Sequence, residues 1–206
     1  YRGDLQGVCD TLIYNSQDSC IYMYNEPVIW SDAQQLLGEE IRIYMNDSTI
    51  DWAHIENQAL VVEQKDSIHY NQIGGKEIKA YFDKGEIYKV DVIGNVLVRF
   101  YPEEKDQSML GLITAETSLL NIYIKQMQLQ RLVMSPQSNG ILYPLSQIPP
   151  EKLYLDNFVW LDYLRPLSRE DLFKWRSKKP EHKLKESLPR SSAPQVDPKS
   201  IKRNRR

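Results

Sequence analysis

Only two cysteines and three histidines occur in the 206 residues, and no apolar run approaches the about 18 residues that a membrane-crossing helix needs. Cys9 and Cys20 lack the Cys-x-x-Cys spacing of a metal or redox site, and His54, His69 and His182 are isolated in sequence, so no metal centre is expected. The chain has no Gly-x-Ser-x-Gly, His-Glu-x-x-His, Gly-x-Gly-x-x-Gly or Gly-x-x-x-x-Gly-Lys-Ser. The expectation is therefore a protein that is not an enzyme and carries no cofactor. The acidic pairs Glu39-Glu40 and Glu103-Glu104 fall at strand starts and loop tips, and His54 falls on a strand face, where solvated side chains are expected. The sequence starts at Tyr1 with neither Met nor an apolar leader, which implies that any signal peptide is already gone.

Charge is unevenly distributed. Residues 174–206 hold 12 Lys and Arg against Glu181, Glu186 and Asp197, a net +9 that leaves −11 for residues 1–173. With Pro180, Pro189, Pro194 and Pro198 and few apolar residues, this basic tail cannot bury enough surface to order itself, and disorder is expected over 174–206. Its terminal Lys202-Arg203-Asn204-Arg205-Arg206 lacks interleaved aromatic residues, so an anionic surface or partner fits better than nucleic acid. The body, residues 1–173, is expected to form one domain, since 41% hydrophobic content is enough for a core.

That body is organised around a repeat. GEEIRIYMNDSTIDWAHIENQALV (residues 38–61) returns without a gap 37 residues later as GKEIKAYFDKGEIYKVDVIGNVLV (residues 75–98), pairing Gly38 with Gly75, Ile41 with Ile78 and Tyr44 with Tyr81. Apolar residues alternate in each copy (Ile41, Ile43, Met45; Ile78, Ala80, Phe82), and a period of two predicts strands with one buried face. A weaker third copy stands at an offset of 42, with Leu120, Ile122, Ile124, Leu129 and Leu132 where Ile78, Ala80, Phe82, Ile87 and Val90 stood. The extra length lies in the loop around residues 102–106. Units of this kind bury their apolar faces only by stacking on one another.

Before the repeat, residues 4–14 predict a strand closed by a turn at 15–19, followed by an aromatic strand, a break at Asn25-Glu26-Pro27 and a further strand at Val28-Ile29-Trp30. That hairpin places Tyr14 opposite Cys20 and Cys9 opposite Asn25, which favours two free thiols over a disulfide. In the second copy the apolar phase runs unbroken through Gly94-Asn95, predicting one long strand bent at Gly94 rather than a hairpin. Pro136-Gln137-Ser138-Asn139-Gly140 reads as a turn ending the regular array. Residues 141–173, rich in proline and aromatics, are expected to supply a last strand and a cap over the open end of the stack, with a short helix from Ser168 to about Trp175.

The strand followed by Gly-x-x-Ile-x-x-Tyr at residues 38–44 and 75–81, with Gly-Asn-Val at 94–96, resembles the OstA-like family. Its members are periplasmic lipopolysaccharide-transport bridge proteins and the related amino-terminal domain of their outer-membrane partner. The stretches CDTLIYNSQDSCIYMYNEPVIW (9–30) and YLDNFVWLDYLRP (154–166) are similar to its larger, Bacteroidetes-type branch. The resemblance covers about residues 4–134. It implies an all-β, open twisted β-jelly roll of stacked antiparallel strands whose apolar faces line a groove for the acyl chains of lipopolysaccharide or another long-chain lipid. It further implies a periplasmic location and edge-to-edge strand pairing with other jelly-roll transport proteins. Carried onto this chain, the lining is Ile41, Ile43, Ile55, Ile78, Val90, Val92, Val96, Val98, Leu120 and Leu132. Two other functions fit the same strands. One is an adaptor with a fully packed core that binds another β protein through its strand edges. The other, a carbohydrate-binding sandwich, requires Tyr22, Tyr24, Trp30 and Trp52 to cluster on one exposed face.

Overall fold

Alternating apolar residues build strands throughout the computed structural model, which describes residues 5–46, 49–106, 108–126, 128–168, 170–174, 176, 178 and 179. In chain order the strands are β1 (Leu5–Val8), β2 (Thr11–Asn15), β3 (Cys20–Tyr24), β4 (Val28–Ser31), β5 (Gln34–Leu37) and β6 (Glu40–Asn46), then the long β7 (Thr49–Gln64), β8 (Tyr70–Asp83), β9 (Glu86–Phe100), β10 (Gly111–Lys125) and β11 (Gln128–Pro144). All pairings are antiparallel. The sheet runs β1-β4-β5-β7-β8-β9-β10-β11, and β2-β3-β6 branches from it at β7. β7 pairs with β6 up to Glu56 and with β5 from Leu60 onward, so its two halves belong to different parts of the sheet.

A line of bends crosses the long strands. Register shifts fall between Glu56 and Ala59, between Gly74 and Glu77, and between Thr117 and Leu119. Asn57, Gln58, Gly94 and Asn95 adopt positive φ of 52°, 49°, 79° and 49°, the left-handed backbone that accompanies bulges and sharpens twist. The repeat explains the alignment. Asn57-Gln58 stands 37 residues before Gly94-Asn95, and Pro136-Gln137 stands 42 after it. Likewise β5 and β6 are severed at Gly38-Glu39, where β8 bends at Gly75-Lys76. A Cβ at Gly38 would lie 2.6 Å from Ile55 Cγ2, and one at Gly75 would lie 2.7 Å from Val92 Cγ1. The two glycines thus let the apex close on equivalent residues of successive copies.

Bent along this line, the sheet becomes two facing layers with a shared interior. The first contains β2, β3, β6 and the adjoining halves of β7–β11; the second contains β1, β4, β5 and the other halves. Met23, Ile41, Ile43, Ile55, Ile78, Val92 and Leu120 of the first pack in one cluster with Ile29, Ala59, Val96, Val98 and Ala115 of the second.

The outer face of the second layer is covered by a strap, residues 145–166, which includes short 3₁₀ turns. Leu155, Val159, Leu161 and Leu164 pack there against Val28, Trp30, Leu37, Leu60 and Val62. Two buried glutamines on that face act as substitute strands. Gln72 Nε2 donates to Leu153 O at 2.8 Å and Gln72 Oε1 accepts from Leu155 N at 2.8 Å. Gln35 does the same with Val159 O at 2.8 Å and Leu161 N at 2.7 Å. Each amide satisfies the carbonyl of one strap residue and the N–H two residues on, as a neighbouring β-strand would. Arg99 Nε adds a bond to Lys152 O at 2.9 Å.

Several sequence expectations need correction. Residues 136–140 do not reverse the chain: they lie inside β11, at and after its bend, because turn-forming residues also suit a bulged strand. The aromatic and proline-rich segment beyond β11 lies across the outer face of the second layer, not over the open end of the stack, because β4, β5, β7 and β8 present apolar side chains outward there as well as inward. The first hairpin is one residue out of the expected register, with Tyr14 opposite Ile21 and Asn15 opposite Cys20. The chain also breaks before β2, and β1 pairs with β4 instead of β3; Cys9 and Cys20 are free. At 168–175 the described residues form a 3₁₀ turn, Glu170–Phe173, not an α-helix. His54 faces outward but is buried, with Nδ1 3.1 Å from Glu56 Oε1 and Nε2 3.2 Å from Glu77 Oε2. The disorder expected for the tail falls almost wholly outside the described residues.

Candidate binding groove

Strand register lines up the inward side chains in rows. One row runs Met23, Ile41, Ile55, Ile78, Val92, Leu120, Met134 across seven strands. The next, one step farther from the bends, runs Ile21, Ile43, Ala53, Ala80, Val90, Ile122, Leu132. The second layer faces them with Ile29, Leu36, Val61, Ile73, Val98, Ala115 and Gly140. The structure therefore brings all ten expected lining residues to one interior: Ile41, Ile55, Ile78, Val92 and Leu120 in the first row, Ile43, Val90 and Leu132 in the second, and Val96 and Val98 on the opposite wall.

They are not equally accessible. Ile41 and Val92 are each 1% exposed, filled over by their neighbours, whereas Leu132 is 43% exposed. Exposure rises away from the bends toward the hairpin tips and along the sheet toward both of its ends, for Leu12 (60%), opposite Met23, and Tyr14 (58%), opposite Ile21, carry the two rows onto β2. At the β9–β11 end both walls are apolar and open. Leu129 (57%) and Leu132 stand on the first layer, Phe100 (41%) and Leu142 (58%) on the second. Beside Phe100, on β7 and β8, the second layer's inner rim turns polar: Asn71 Nδ2 donates to Glu63 Oε2 at 2.9 Å, and Asn71 Oδ1 accepts from Tyr101 N at 2.8 Å. Lys65 joins Glu103 there at 2.8 Å, and that hydrogen bond holds its ammonium above the usual lysine range.

Sequence reasoning missed Leu142 and Phe100 as lining and included Leu129 only in the repeat. For Leu129 the offset of 42 was sufficient signal. Leu142 faces the interior because it pairs with Ile113, a register no local pattern discloses.

β11 has no strand beyond it among the described residues, and β1 and β2 each pair on one side only. Among the described residues no cluster of His, Cys, Asp and Glu could hold a metal ion, and no helix is long and apolar enough to cross a membrane. The arrangement is an apolar cleft, filled in its middle around Ile41, Ile55, Ile78 and Val92 and open toward β2 and toward β11, where strand edges are free among the described residues.

No family model matches the chain, and no curated protein matches it. Among solved structures it is similar to LptH of Pseudomonas aeruginosa, described as the LptA-homologous periplasmic component of the conserved lipopolysaccharide transport device. The identity is 11%, the TM-score is 0.51, and the match covers 69% of this chain and 100% of LptH. The fold is the open β-jelly roll of LptH. As in the family that the repeats resemble, the sheet is open rather than closed into a barrel.

Proposed function

We propose that this is a non-enzymatic periplasmic protein that shields the acyl chains of lipopolysaccharide, or of another long-chain lipid, and helps bridge the inner and outer membranes during outer-membrane assembly. The observation that carries the reading is the apolar mouth at β9–β11, where Phe100, Leu129, Leu132 and Leu142 line both walls and remain open. Each methylene moved from water onto such a surface contributes about 0.8 kcal/mol, so a few chain segments suffice for reversible binding. The free edges of β11 at one end and of β1 and β2 at the other would extend the cleft by strand pairing with other jelly-roll proteins. The Bacteroidetes-type branch remains the reading of residues 9–30 and 154–166.

The filled part of the interior, around Ile41 and Val92, directs the test to the mouth. A photo-crosslinking residue at Leu132 or Leu142 should capture long-chain lipid in cells, and one at outward-facing Lys89 should not. Repeated failure at both leucines, with crosslinks instead to a protein along β11, would overturn the proposal in favour of a packed adaptor.

A further inference from the structure

The outer face of the first layer carries a second row set by the repeat: Tyr44, Trp52, Tyr81, Lys89, Tyr123, Arg131. The tyrosines are equivalent residues of the three copies. In each copy an extra bulge residue precedes the side chain that covers the tyrosine: Asp51 before Trp52, Tyr88 before Lys89, Gln130 before Arg131. Lys89 and Arg131 cover their rings as cations, 5.1 Å from the Tyr81 centroid and 4.3 Å from that of Tyr123. Trp52 instead stacks on Tyr44 at 4.2 Å. A cation therefore suffices for the structural task, and the tryptophan exceeds it.

The excess is concentrated in one place. The bulges on either side of β8 turn Asp51 and Tyr88 toward each other, and with Trp52, Lys79 and Tyr81 they line a shallow cleft of about 370 Å³, within the range of small-ligand sites. Nearby cations are already engaged: Lys89 bonds Asp91 at 2.7 Å, and Arg42 bridges Glu40 and Glu56, while Glu77 lies 3.2 Å from His54 Nε2. Asp51 and Lys79 alone among the lining residues are ionic, and neither has a hydrogen-bond or ion-pair partner among the described residues. The cleft thus offers aromatic surface, one acceptor carboxylate, one donor ammonium and no net charge. A polyphosphate needs more positive charge, and an acyl chain needs neither ion.

We infer that this cleft binds a neutral saccharide, an N-acetylhexosamine or hexose unit of a glycan, with its C–H face against Tyr88 and the open margin of Trp52 and its hydroxyl or acetamido groups on Asp51 and Lys79. Of the four rings first considered for carbohydrate, only Trp52 lines the cleft. Tyr22 and Tyr24 stack on each other nearby on this face, at 6.1 Å, and Trp30 is buried under the strap. The inference is independent of the lipid groove, which lies on the opposite side of the layer.

The test titrates the full chain with triacetylchitotriose and with maltotriose, following tryptophan fluorescence and heat. Saturable binding of at least one sugar at about millimolar or tighter Kd is expected. Tyr88→Ala should weaken it about tenfold or more, and Asp51→Asn severalfold. Tyr88 is 46% exposed, so its removal should leave the melting temperature, and lipid capture at Leu132, unchanged. Absence of saturable binding by both sugars, or equal affinity in Tyr88→Ala, would overturn the inference whatever the outcome at the groove.

Discussion

In the layer built on β1, β4 and β5 the outer face lies beneath residues 145–166, whereas in the layer built on β2, β3 and β6 it bears stacked rings and ion pairs that cover only one another. Both layers present the same alternating apolar residues to the shared interior. What differs is how the outward side chains are satisfied. On the strapped side, neutral amides of Gln35 and Gln72 pair with peptide groups away from water, and Leu155 and Leu161 add apolar burial. On the bare side, Arg42 bridges Glu40 at 2.7 Å and Glu56 at 3.0 Å, with its side chain 30% exposed. Partly exposed pairs of this kind contribute about 0 to 1 kcal/mol. The strapped layer therefore holds the fold, and the bare layer is free to present chemistry on its outer face.

The largest effect that would break this contrast is expected at Leu155, which is 4% exposed and packed in the cluster with Leu60 and Val62. Leu155→Ala should cost about 2 to 5 kcal/mol, read as a lowered urea midpoint at unchanged slope. Lys79→Ala, on the bare face, should stay within about 0.5 kcal/mol. Equal losses from the two substitutions would show that the strap is an appendage.

A loss that entering water can reduce sharpens the comparison. Gln72→Ala strands the Leu153 carbonyl and the Leu155 amide, and each unmet buried group costs about 1 to 3 kcal/mol unless water enters. Hydrogen exchange at Leu155 should accelerate in Gln72→Ala and not in Arg42→Ala. Unchanged protection of Leu155 would mean that apolar packing alone holds the strap.

How much of this was legible follows from what each feature depends on. The rows through Ile41, Ile78 and Leu120 were readable because strand phase is local and the repeat supplied the register. The bend at Gly94 was readable for the same reason, since Val92 and Val96 keep phase across it. Asn57-Gln58 hid the equivalent bend, because asparagine and glutamine do not announce left-handed backbone as glycine does; the offset of 37 pointed to it all the same. The covering strap was not legible. Gln35 and Gln72 are polar residues at outward positions, where solvent is the ordinary partner, and only contacts more than 80 residues away in sequence bury them. The cleft at Asp51 and Tyr88 likewise required knowing that two bulges flank β8.

The smallest effect concerns Tyr101, which is 1% exposed and whose hydroxyl has no hydrogen-bond partner among the described residues. Its ring meets His69 edge-on at 4.9 Å, so the aromatic packing survives replacement by phenylalanine. Burial pushes the phenol up to about 12, above the about 10 of an unfolded chain. Between these values the unfolded state has released the proton and the native state has not. The contribution of this group to stability is therefore complete below about pH 10 and is lost as the pH rises through about 12. Tyr101→Phe removes both the unmet hydroxyl and that titration. At neutral pH the variant should be as stable as the parent or more stable by up to about 1 kcal/mol, because burying a hydroxyl without a partner is unfavourable. In the alkaline range its stability should fall less steeply, by at most about 1.4 kcal/mol per pH unit. Urea midpoints measured from pH 8 to 11.5 separate the two effects. A loss at neutral pH would show that the hydroxyl has a partner such as a buried water, and an unchanged alkaline slope would place the titrating tyrosines elsewhere, on the bare face.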